Sequence, residues 1–131
     1  MAMRWFDRSE RKEVWDEAIE WPIGDIEAAQ KIRVICHSAA DSAEKVGAFD
    51  GGISTKHQRE HERYERAARM AMEIAMKVSD ELLRDASVRQ IVDLCMKANN
   101  TKTAQTLFRA IQATSIRNEV LRDHPTLQGD A

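Results

Sequence analysis

Apolar residues recur at every third or fourth position along almost the whole chain, and no stretch of strand length alternates apolar with polar residues. That periodicity is the signature of amphipathic helices and leaves no room for a half-buried sheet. With 131 residues the chain is long enough for one domain. The expected fold is therefore all-α: an up-and-down four-helix bundle, with an additional aromatic-rich helix in front of it.

Capping signals divide the chain further. A first helix is expected from Ser9 through Val14, Trp15, Ala18 and Ile19, ending before Pro22, because the residue before proline disfavours helical geometry. Asp25 is the expected cap of a second helix with the stripe Ala29, Ile32, Cys36, Ala40 and Ala43, closing near Gly47. Thr55 and Gln58 fit a capping box for a long third helix reaching about Leu83. Ser87 and Gln90 repeat the signal for a fourth, carrying Val88, Ile91, Val92 and Cys95 and ending at Asn99-Asn100. The fifth is expected unbroken from Thr101 to Arg122, with the stripe Ala104, Leu107, Phe108, Ile111 and Ser115. Residues 1–24 then form an N-terminal arm, 25–123 the bundle and 124–131 a flexible tail.

Large core formers are scarce. Ile, Val, Leu and Phe together make 26 residues against 18 alanines, so the helices approach closely but bury little area each. A second copy of the chain could supply the missing burial, and a homo-oligomer, a dimer in the first instance, is the expected state. Four of the seven aromatic residues, Trp5, Phe6, Trp15 and Trp21, fall in the arm. They pack either on their own bundle or, if arms are exchanged, on a partner's.

Chemistry finds few footholds. On the third helix His57 and His61 stand four apart with Glu60 in the same sector, a spacing that can hold a metal ion. The segment 57–61 reads H-x-x-E-H and resembles the inverzincin zinc peptidases. The resemblance covers five residues, the supporting context of those enzymes is absent, and a peptidase assignment is rejected. Glu-x-x-His, H-E-x-x-H, C-x-x-C and Gly-x-Ser-x-Gly do not occur. Gly47 and Gly52 have a phosphate-loop separation, but Ile53-Ser54 follows where Lys-Ser/Thr is needed.

Charge is the remaining signal. Residues 1–50 carry a net −4, whereas 97–122 carry Lys97, Lys102, Arg109, Arg117 and Arg122 against Glu119 alone. That basic face could meet phosphates, with Asn99-Asn100-Thr101 as the turn of a helix-turn-helix, or could meet the acidic half of another copy. No apolar run is long enough to span a membrane, no secretory signal is apparent, and both cysteines fall in apolar stripes, so a cytoplasmic protein with reduced thiols is expected.

The residues thus point first to a non-catalytic helical interaction or regulatory module without a cofactor. A metal-binding or pH-responsive bundle centred on His57, Glu60 and His61 comes second. A nucleic-acid module using the 97–122 face comes third.

Overall fold

A computed structural model describes residues 13–49 and 55–128, which form helices and the segments joining them, with no strand among them. The helices are α1 (Asp25–Ala48), α2 (Thr55–Ala75), α3 (Glu81–Lys97), α4 (Thr101–Ala110) and α5 (Thr114–Asp123). Short 3₁₀ turns lie at Val14–Asp16 and Pro125–Gln128. Helix α1 packs against both α2 and α3, while α4 lies mainly on α3.

Contacts at the helix ends give the directions. Asp25, opening α1, accepts hydrogen bonds from the backbone N–H groups of Ser79 (3.0 Å) and Asp80 (2.8 Å), at the junction between α2 and α3. At the other end Phe49, just past α1, stacks on His57 of α2 at 3.7 Å between ring centroids. Helix α1 therefore runs antiparallel to α2 and parallel to α3.

Alanine permits these approaches. Ala39, Ala43, Ala67 and Ala71 are fully buried beside Ile32, Ile74, Ile91 and Val92. The closest approach is at Gly47, where a Cβ would stand 2.1 Å from the carbonyl oxygen of Lys97. Gly47 is thus a helical residue kept small by a neighbouring backbone, not the left-handed cap that its place near the helix end suggests. Asn99 does take up the left-handed region, with φ 61°. Asn100 then caps α4, its side chain accepting from the backbone N–H of Thr103 while its amide donates to Tyr64 Oη at 2.9 Å.

Four expectations are corrected. No regular helix forms over residues 13–24, which hold only the Val14–Asp16 turn before an extended run containing a cis Trp21–Pro22 peptide. Helix α2 stops at Ala75, short of Leu83, because Asp80 caps a new helix through the N–H of Leu83 at 2.9 Å. Leu82 is consequently exposed, and Ser87 becomes a buried mid-helix residue instead of a cap. The expected fifth helix breaks at Ile111-Gln112-Ala113, giving α4 and α5.

That last break has neither proline nor glycine. Asp85, buried on α3, accepts from the N–H groups of Gln112 (3.1 Å) and Ala113 (2.8 Å). Arg117 covers the opposite pole, donating from Nη1 to the carbonyls of Phe108 (3.2 Å) and Ile111 (3.0 Å) with its guanidinium over the Phe108 ring. The free donors of one helix end and the free acceptors of another are thus satisfied by side chains. Farther up α3, Arg89 pairs with Glu119 and Asp123, and Asp93 lies 2.8 Å from His124 Nε2. Asp85, Arg89 and Asp93 stand one turn apart on α3 and share a face. They hold α5 along its length. In the segment expected to fray, Leu127 is buried.

Candidate interaction surface

The segment before α1 lies along α2 as a strap. Its register follows from three contacts, Glu13 with Arg63 (3.1 Å), Asp16 with Arg66 and Trp21 beneath the ammonium of Lys77 (4.9 Å to the ring centroid), with Ile19 lining the same hollow as Met70 and Ile74. The partners on α2 advance as the strap advances, so the two run parallel. Trp15 anchors the strap at 2% exposure, with Arg63 over its ring. Trp15 therefore packs on its own chain. Trp5 and Phe6 lie outside the described residues.

Two open hollows flank the strap at residues 17–19. One, of about 320 Å³, is lined by Val14, Ile19, Val34, Ile35 and Ile74 with Glu17, Glu27 and Lys31. The other, of about 350 Å³, is lined by Ile19, Trp21, Met70 and Ile74 with Asp16, Glu17, Glu73 and Lys77. Val34 and Trp21, both exposed, look into them. Three more large apolar side chains, Ile26 (70% exposed), Met76 (79%) and Leu82 (59%), stand within three residues in sequence of the groups that Asp25 joins. Among the described residues the exposed large apolar groups are thus Val34 and Trp21, lining the hollows, and Ile26, Met76 and Leu82, near the helix ends that Asp25 joins. No helix among them is long and apolar enough to cross a membrane.

The rim of this surface is acidic. Residues 13–27 hold six carboxylates and no Lys or Arg. Glu13 and Asp16 are spent on Arg63 and Arg66, and Asp25 on two backbone N–H groups, which hold its carboxyl below its ordinary value. Glu17, Glu20, Glu27 and Glu73 form no ion pair among the described residues.

The proposed metal ligands do not converge. Glu60 is 8% exposed and turned toward α1, where its carboxylate accepts from Ser42 Oγ at 2.6 Å and faces Lys45 Nζ at 3.6 Å. Hydrogen bonding to Asp41, with Glu60 close by, holds the Lys45 ammonium charged to a higher pH than usual. His61 faces Glu65 at 3.6 Å and His57 is stacked on Phe49. Among the described residues no three His, Cys, Asp or Glu side chains are grouped to hold a metal ion. A buried carboxylate needs partners, and α1 supplies two in Ser42 and Lys45.

The basic face is also partly spent. Lys97, Lys102, Arg109 and Arg122 are exposed, but Arg117 is half-buried in its cap on α4. The turn expected to introduce a helix-turn-helix, at Asn99-Asn100, is anchored on Tyr64 within the core.

Reactive groups are quenched as well. Cys36 and Cys95 are free and buried. Burial, with Cys95 and Asp93 nearby, pushes the Cys36 thiol up to about 12. Burial likewise raises Cys95, against a hydrogen bond with Tyr64, and raises the Tyr64 phenol. A protonated thiol is a poor nucleophile at neutral pH. No family model, no curated protein and no solved structure matches the chain.

Proposed function

We propose that this chain is a non-catalytic helical interaction or regulatory module that works as a homo-oligomer, in its simplest form a dimer, with the segment before α1 as its arm. The reading is supported by the exposure of Trp21, Ile26, Val34, Met76 and Leu82, of which Trp21 and Val34 line the two open hollows beside the strap. Exposed apolar groups beside open hollows are the places on a protein surface where a partner gains most by docking. Glu60 is engaged by Ser42 and Lys45, His61 faces Glu65 and both cysteines are buried, whereas Lys97, Lys102, Arg109 and Arg122 stay exposed.

Sedimentation velocity across low to high micromolar concentrations tests the reading. The expected result is a concentration-dependent dimer that Val34→Glu, on the rim of one hollow, shifts to monomer while helicity by circular dichroism is unchanged. A monomer throughout the range refutes it.

A further inference from the structure

The break between α4 and α5 is held by side chains, not by the local sequence. Residues 101–123 hold neither proline nor glycine, and Gln112 and Ala113 at the break are strong helix formers. Locally the chain favours one continuous helix. What interrupts it is Asp85, whose Oδ2 takes the N–H groups of Gln112 and Ala113, together with Arg117, which covers the carbonyls of Phe108 and Ile111. In a continuous helix these groups need no side chain. By the ordinary four-residue step the N–H of Gln112 would meet the carbonyl of Phe108, that of Ala113 the carbonyl of Arg109, and that of Ser115 the carbonyl of Ile111.

A straightened helix cannot keep both halves on its own body. Ile111 and Ile116 are buried five positions apart, and at roughly 100° per residue a continuous helix would point them about 140° away from each other. With Ile111 held in the chain's own core beside Leu107 and Phe108, Ile116 and Val120 are turned away from it. An identical α3 on another copy supplies what they and their neighbours lose: Arg89 for Glu119 and Asp123, and Asp93 for His124. We infer that the α4–α5 junction is a hinge that straightens to exchange α5 between two copies of the chain, with Asp85 as the latch of the closed form. The exchange is reciprocal and two-fold. Because it rebuilds the same contacts between α3 and α5, the closed and exchanged forms differ mainly at the hinge. It goes beyond the association proposed above, for it uses neither the strap nor the hollows.

Two opposing substitutions test the hinge in the full-length chain, each in a Val34→Glu background so that association through the hollows does not contribute. Asp85→Ala removes the latch and is expected to strengthen dimerisation, followed by sedimentation velocity, by roughly tenfold or more. Thr114→Pro acts the other way. Thr114 opens α5, where a proline suits the first helical position, and Ala113 before it is already extended at φ −68° and ψ 120°. In a continuous helix the same proline would have no N–H for the Ala110 carbonyl and would clash with it. Adding Thr114→Pro to Asp85→Ala should therefore return a monomer, with helicity by circular dichroism unchanged. An Asp85→Ala chain no more dimeric than its background, or a dimer that survives Thr114→Pro, overturns the exchange and leaves the reading through the hollows to its own test. Should Asp85→Ala not fold, the background chain carries the test: held at high concentration it forms a dimer that Thr114→Pro prevents, and equal monomers with and without the proline overturn the exchange.

Discussion

Asp85 on α3 accepts the backbone N–H of Ala113 at 2.8 Å, and with that bond a residue 28 positions earlier caps a helix whose own N-cap, Ala113, has no side chain to offer. The same carboxylate takes the N–H of Gln112, so two donors at the start of α5 depend on it. The cap is tertiary.

Replacing Asp85 by alanine removes Oδ2, the one oxygen that accepts both bonds, from a fully buried position and is expected to cost about 2 kcal/mol, the upper range for a lost helix cap. Asp85→Asn keeps one acceptor oxygen and should lose less. Urea unfolding of the two variants beside the parent checks the order, and an Asp85→Ala midpoint equal to the parent's refutes the cap.

Two residues along the same helix the expected sign is reversed. Ser87 is buried and its Oγ has no hydrogen-bond partner among the described residues. As an N-cap, the role its spacing to Gln90 suggests, its loss to alanine would destabilise. In the interior of α3, Ser87→Ala removes an unsatisfied hydroxyl and improves helix propensity, so stability should rise by about 1 kcal/mol. A drop in the urea midpoint restores the capping role and contradicts the placement.

Gly47 offers a similar reversal. Within a helix, Gly→Ala ordinarily stabilises by about 1 kcal/mol. Here the added methyl would meet the Lys97 carbonyl oxygen at 2.1 Å, and backbone cannot swing aside as a long side chain can. The ends of α1 and α3 must separate, and Gly47→Ala should cost about 1–3 kcal/mol, the usual range for overpacking. Thermal unfolding checks the direction.

These cases show what spacing can and cannot convey. The all-helical fold was legible because burial repeats with the helical period: Ile32, Cys36 and Ala43, then Tyr64, Ala68, Ala71, Ala75 and Val78, then Ala104, Leu107, Phe108 and Ile111 are inside, although Ala29 and Ala40 are only half-buried and Ser115 is exposed. The break after Ile111 left one faint mark, a step of five from Ile111 to Ile116 where a continuous helix steps by three or four. Its cause, Asp85, is too distant in sequence for local rules to reach. Asp80 was a recognisable cap, but the apolar seam ran through it, since Val78 stays buried on either reading. The candidate surface was legible only as aromatic content. That Trp15 faces inward while Trp21 is left on a rim depends on which arginines of α2 the strap's carboxylates find. Glu60 was placed in the correct sector of its helix, yet Ser42 and Lys45 claim it from α1, and no spacing within α2 could reveal them.

Asp25 ties the strap, α1 and the α2–α3 junction together, and its contribution should depend on pH in a defined direction. The N–H groups of Ser79 and Asp80 favour its charged form, so its folded value lies below the ordinary 3.8. A depressed carboxyl stabilises the fold fully above the unfolded value and loses that contribution as pH falls through the folded one. At pH 7 the parent should therefore unfold at higher urea than Asp25→Asn, and the gap should narrow as pH falls below the ordinary 3.8 and close only below the lowered folded value. The same substitution loosens the end where Ile26, Met76 and Leu82 are exposed, so hydrogen exchange at Ser79 and Asp80 should quicken at pH 7 while α3 beyond Leu83 stays protected. Parallel urea midpoints for parent and variant at both pH values would mean that the carboxylate does not hold the junction.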